Sequence, residues 1–190
     1  MTGGYSQSEI EDVQAKWGLR FPPDLVELLR EQRSPISSHD PGNSFDWVLT
    51  DAPAIQRRLD WPFEGFWFDV QNNNLWWPEW GKKPASLPEQ RERLKEIFAA
   101  APKLIPLYSH RYLPQEPFER ENPVFSVYQA DVIYYGVNLR DWIKHEAAPE
   151  RPGELLSAYK VIPFWSLAEW RNDHETEPMP PRAVAETLRR

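Results

Sequence analysis

Between residues 7 and 31 the apolar side chains fall at helical spacing. Ile10, Val13 and Trp17 recur at i, i+3 and i+7, Ser6 and Glu9 stand at capping-box distance, and Gly18 follows, which predicts a helix over 7–17 with one narrow apolar face. Pro22 and Pro23, then Asp24 and Glu27, suit the first turn of a second helix. Its stripe is Leu25, Leu28 and Leu29, and it fades near Ser34-Pro35. Residues 35–44 read as an exposed loop and Phe45 to Leu49 as a short strand, with a helical turn or two over Asp51 to Leu59. Phe66 to Val70 and Leu75 to Trp77, joined by Asn72-Asn73-Asn74, read as a hairpin, because asparagine tolerates left-handed backbone angles.

The second half carries clearer punctuation. Ser86, Pro88 and Glu89 start a helix over 88–100 whose face is Leu94, Ile97, Phe98 and Ala101. Leu104 to Tyr108, Val124 to Tyr128 and Val132 to Tyr135 read as three neighbouring strands, the last two tightly joined around Gln129-Ala130-Asp131. Asn138 caps a helix through Leu139, Trp142, Ile143 and Glu146, and Arg151-Pro152-Gly153 is a turn or flexible loop. Tyr159 to Ile162 forms a last strand, a short helix begins at Pro163-Phe164-Trp165, and residues 175–190 make a loosely attached tail after a domain over 1–174. Helices at the ends and once in the middle, with strands between, give an α+β single domain with a twisted, mainly antiparallel sheet.

Composition narrows the function. The 190 residues hold 10 Trp, 9 Phe, 7 Tyr and 20 Pro, an aromatic content that a disordered chain would lack. Acids outnumber bases 29 to 22, for a net charge of -7, which argues against a basic nucleic-acid face. With 0 Cys there is no disulfide, thiol nucleophile or thiolate metal site. No Lys or Arg precedes Lys16, and no apolar run reaches the ~18 residues of a membrane span, so the expectation is a cytoplasmic protein without membrane contact.

Enzyme signatures are missing as well. The 8 Gly form no dinucleotide or phosphate loop, and no His-Glu-x-x-His occurs. His39, His110, His145 and His174 are far apart in sequence, so neither a metal nor another cofactor is expected. Two constellations remain. His110-Arg111-Tyr112-Leu113-Pro114, placed in a loop after a strand, would present an imidazole, a guanidinium and a phenol together; alternatively Arg111 pairs with a carboxylate such as Asp131 and His110 satisfies backbone groups. Trp76, Trp77 and Trp80, with Trp61 and Trp67, would make an aromatic platform, or alternatively mostly fill the core, and Glu64, Asp69 and Glu79 among them would suit a small carbohydrate-active hydrolase if paired.

Taken together, the segments resemble the SUKH superfamily, which includes yeast cell-wall assembly and killer-toxin-resistance regulators and many bacterial toxin-immunity proteins. The resemblance is carried by Trp17 to Leu25, Phe68-Asp69-Val70 with Trp77 to Pro84, Ala101 to Tyr112, Asn122 to Tyr128, and Asp131 to Leu139, ending at Ile162 to Trp165. It spans about residues 8–170. Where many relatives place a glycine-containing turn, this chain has Arg30 to Pro35. The resemblance implies an α+β fold and action by binding, with no agreed catalytic constellation. Trp77, Trp80, Pro106, Pro123, Asp131 and Gly136 take structural roles, Gly136 as a turn residue. The expected partner is a protein: a basic toxin domain drawn to the acidic surface, or other cellular proteins if the chain is a regulatory scaffold without a toxin partner. Loop acids Asp40, Asp46, Glu116, Glu119 and Glu121 are the expected contacts, with Trp76, His110 and Arg111 as a further aromatic and loop site.

Overall fold

Both capping boxes form. The Ser6 and Ser86 side chains accept the N–H of Glu9 and Glu89, whose carboxylates reach back to the N–H of Ser6 and Ser86. The Ser6 N–H and the Arg33 guanidinium together hold the Glu9 carboxyl down to about 2. The computed structural model describes residues 3–36, 46–146 and 159–174. Its elements are α1 (Gln7–Trp17), α2 (Pro23–Glu31), α3 (Ala52–Asn72), a 3-10 turn (Pro78–Trp80), α4 (Leu87–Ala100), β1 (Leu104–Tyr108), β2 (Arg111–Pro114), β3 (Val124–Tyr128), β4 (Asp131–Gly136), α5 (Leu139–Glu146) and α6 (Trp165–Arg171). The class is α+β, with one antiparallel sheet in the order β1-β2-β3-β4. Gly18, in the left-handed region at φ 61, closes α1, and the Asn138 side chain accepts the Asp141 N–H to cap α5.

Contacts divide the chain into two units. The first is Met1–Leu59, Lys103–Ser126 and Tyr134–Lys160; the second is Asp60–Pro102, Val127–Ile133 and Val161–Arg190. In the first, Ile10, Val13, Phe21, Leu25, Leu29, Trp47 and Ile55 share one buried cluster with Ile105, Leu107, Leu113, Val124 and Trp142. Gly136 packs directly on Trp142: a Cβ there would stand 2.7 Å from Trp142 Cβ and 2.9 Å from its Cα. Close approach, and not a positive φ, is what this glycine supplies, which corrects its reading as a turn residue.

In the second unit Phe66 is the centre of a ring cluster. Its centroid lies 5.4 Å from Trp77, 5.3 Å from Phe98 and 5.6 Å from Phe164, while Trp77 and Trp80 are 4.6 Å apart. The Trp165 indole donates to the Pro102 carbonyl at 2.7 Å. Gly65 lets the tip of the β3–β4 hairpin cross α3, since a Cβ there would lie 2.8 Å from Gln129 Cα. One turn on, Asp69 accepts the Ala130 N–H at 2.8 Å and caps that tip.

The largest departure from the sequence reading is α3. Residues 52–72 make one helix of 21 residues, not a helical turn followed by a hairpin. Ile55, Leu59, Phe63, Phe66 and Val70 hold the helical period, but Pro62 reads as a breaker because it offers no N–H to the Arg58 carbonyl four residues back. The buried Tyr112 hydroxyl donates to that carbonyl at 2.9 Å, in place of the missing N–H. The same burial pushes the phenol well above its ordinary range.

A test follows from this geometry. Tyr112→Phe takes this bond from the carbonyl and is expected to lower stability by about 1–3 kcal/mol. In a Pro62→Ala background the restored N–H satisfies Arg58, and the same substitution then costs less. Equal losses in both backgrounds, read by urea unfolding, would show that the hydroxyl does not stand in for the proline's bond.

Other departures are smaller. Residues 46–50 form a turn instead of a strand, because the Asp46 side chain accepts the N–H of Val48 and Leu49. Arg111–Pro114 is a strand, buried throughout, that separates β1 from β3. Tyr159 to Ile162 joins no strand; instead Tyr159 stacks on Tyr134 at 4.2 Å and the Tyr134 hydroxyl donates to the Lys160 carbonyl at 3.3 Å. Residues 37–44 of the expected 35–44 loop, the turn at Arg151 to Gly153 and the 175–190 tail lie outside the described residues.

Candidate binding surface

In the first unit a densely hydrogen-bonded loop joins β2 to β3. Asn122, with no exposed surface, donates its amide to the carbonyls of Pro114 and Pro117 at 3.2 and 2.8 Å. Gln115 donates its N–H to the Lys103 carbonyl at 2.8 Å and accepts the Arg20 N–H at 2.7 Å. Lys160 then draws the far side of the loop together: its ammonium donates to Glu119 Oε1 and the Arg120 carbonyl, both at 2.8 Å, and to Asn122 Oδ1 at 3.2 Å. Arg120 pairs with Glu27, whose carboxyl it holds below the usual carboxylate range, and the Arg20 guanidinium covers the Phe118 ring at 4.0 Å.

The predicted contact acids fare differently on this frame. Glu116, Glu119 and Glu121 are exposed on the loop, Glu119 held by Lys160 and Glu121 by the Asn138 amide, with the Glu121 N–H donated to Asp24. Asp46 is spent internally: one oxygen accepts two backbone N–H groups and the other lies 3.4 Å from Arg33. It caps the turn. Asp40 lies outside the described residues.

The His110–Pro114 constellation does not converge. His110 sits in the two-residue turn between β1 and β2, its Nδ1 3.0 Å from the Ser109 hydroxyl. Arg111 opens β2 and is buried: it donates to Ser126 Oγ at 3.0 Å and to Glu146 at 3.3 Å, and its guanidinium lies 3.5 Å over the Tyr135 ring. Its carboxylate partner is therefore Glu146, not Asp131, which is exposed and meets Asn172. Neighbours in a strand point to opposite faces, which sends Tyr112 away to Arg58.

The aromatic platform is also redistributed. Trp67, Trp77 and Trp80 are buried, and Trp76 is half-buried, donating its indole N–H to the Gly81 carbonyl at 2.8 Å. Trp61 alone of the five stands exposed, its indole donating to the Val127 carbonyl at 3.2 Å. The three acids of that segment each have a structural partner: Glu64 pairs with Arg91 at 2.9 Å, Glu79 with the buried Arg171, and Asp69 caps the hairpin tip. Among the described residues no group of three or more His, Cys, Asp or Glu side chains is placed to hold a metal ion, and no helix is long and apolar enough to cross a membrane.

No protein-family model, curated protein or solved structure matches this chain. Sequence reasoning found the acidic loop from residue type. It missed Asn122 and Lys160, which fix its shape, because their partners lie on segments far apart in sequence.

Proposed function

We propose that this chain is a cytoplasmic, non-catalytic protein-binding domain of the SUKH type, an immunity protein that occludes a basic toxin domain. The observation that carries the reading is the β2–β3 loop, which offers Glu116, Glu119 and Glu121 on a backbone already fixed by Asn122 and Lys160. A loop ordered before the encounter loses little conformational freedom on binding. The motif series quoted above and the net charge of -7 support the same reading, since an acidic surface speeds encounter with a basic one.

The test is capture of the tagged protein from its own cells at low salt, followed by kinetics with the toxin-like polypeptide recovered. A basic toxin is expected, released by salt. Its association rate should fall as ionic strength rises, and fall again, by roughly tenfold, when Glu116 and Glu119 are both replaced by Lys. Recovery of an assembly of cellular proteins without a toxin would overturn the immunity role. Rates insensitive to salt would overturn the steering.

A further inference from the structure

Four times the described chain closes an arginine between an aromatic ring and a carboxylate. Arg33 lies 4.6 Å over Tyr5 and 2.7 Å from Glu9; Arg91 lies 5.5 Å over Trp67 and 2.9 Å from Glu64. Arg111 lies 3.5 Å over Tyr135 and 3.3 Å from Glu146, and Arg171 lies 4.9 Å over Trp170 and pairs with Glu79. The combination is favoured because a guanidinium stacks flat on a ring face while its edge N–H groups bind a carboxylate.

The same two ingredients come together on the surface of the second unit. Trp61 and Tyr128 are 42% and 53% exposed, with ring centroids 5.8 Å apart at 57°. The Trp61 ring is immobilised by its bond to Val127, at the end of the strand that carries Tyr128. Gln129 and Ala130 form a two-residue loop, so Tyr128 and Asp131 flank it on facing strands with Cβ atoms about 5 Å apart. Both are exposed, whereas Val127 and Val132 beside them are fully buried, which puts the phenol and the carboxylate on one outward face. One carboxylate oxygen, Oδ1, has a 3.4 Å contact with Asn172.

We infer that Trp61, Tyr128 and Asp131 form a docking site for an arginine of an extended partner peptide, its guanidinium stacked on the ring pair and bonded to Asp131. Charge complementarity selects this occupant: the chain carries -7, and the site sets a carboxylate beside two exposed rings. Arginine fits better than lysine, because only a planar fork stacks on a ring and binds a carboxylate at once. The site is independent of the β2–β3 loop and of any toxin.

The test titrates an acetylated, amidated Pro-Pro-Arg-Pro-Pro peptide into the full chain and follows the Trp61 indole N–H by NMR, assigned with Trp61→Phe. The arginine peptide is expected to shift that resonance and to bind roughly tenfold tighter than the same peptide with neutral citrulline. Tyr128→Leu and Asp131→Asn, both surface changes, should each weaken binding several-fold, and Glu31→Gln, an exposed acid outside both surfaces, should leave it unchanged. No response at millimolar peptide, or equal responses to arginine and citrulline, would overturn the site. Binding that emerges only after Arg182, Arg189 and Arg190 are replaced by Gln would assign it to the chain's own arginines and overturn the partner.

Discussion

Glu146→Ala is expected to be the most damaging single change in the first unit, lowering stability by about 3–5 kcal/mol. Arg111 and Glu146 side chains are only 10% and 16% exposed, and the Glu146 carboxylate also accepts the Trp142 indole N–H at 3.0 Å. Removing it leaves, among the described residues, a guanidinium in a low-dielectric interior with Ser126 and the Tyr135 ring, and takes the carboxylate from a buried indole. The double change Arg111→Met with Glu146→Leu should recover most of the loss, since replacing a buried pair by apolar groups of similar volume is often neutral. The indole's lost bond, worth about 1 kcal/mol, is what should remain. Denaturant midpoints of the single and double variants decide it: equal destabilisation would mean that no stranded charge underlies the effect.

Gly136→Ala is the second large effect expected, at about 1–3 kcal/mol or beyond from overpacking alone. The atoms it would strike are Trp142 Cβ, Cα and N, at 2.7, 2.9 and 2.9 Å, and every residue type but glycine keeps all three. No change of side chain at 142 can therefore relieve the clash; α5 itself must move, and with it the Glu146 carboxylate. Gly136→Ala should for that reason also weaken the Arg111 pair. A double-mutant cycle with Glu146→Gln that proves additive within about 0.5 kcal/mol would show that the helix stays in place.

What the sequence disclosed was what its neighbours in the chain decide. The Ser6–Glu9 and Ser86–Glu89 boxes, the Gly18 stop, the Asn138 cap and the tight β3–β4 join depend on residues within a few positions of one another, and all formed as read. The misreadings share the opposite property. The expected helical turns end at Leu59, ahead of Pro62, whereas the group that satisfies Arg58 comes from Tyr112, 54 positions away. Arg111 was matched to the wrong carboxylate because Glu146, 35 positions on, is brought alongside only by the sheet and α5. Gly136 was read as a turn residue because a close approach leaves no local mark. The candidate surface was legible as exposed acids at Glu116, Glu119 and Glu121, but not in its rigidity, which resides in the buried Asn122 amide and the Lys160 ammonium.

The ring cluster around Phe66 has an optical side. Trp17, Trp47 and Trp142 belong to the first unit and the other seven tryptophans to the second, where Trp77 and Trp80 lie close enough for their indole transitions to couple. Intrinsic fluorescence and near-ultraviolet circular dichroism of this chain therefore report mainly on the second unit. Coupled indoles also add a band of their own to the far-ultraviolet spectrum, on top of the signal from the helices. A spectroscopic transition seen in this protein is a local reading before it is a global one, and the loss of the buried Arg111 pair is best watched through Trp142, the indole that touches it.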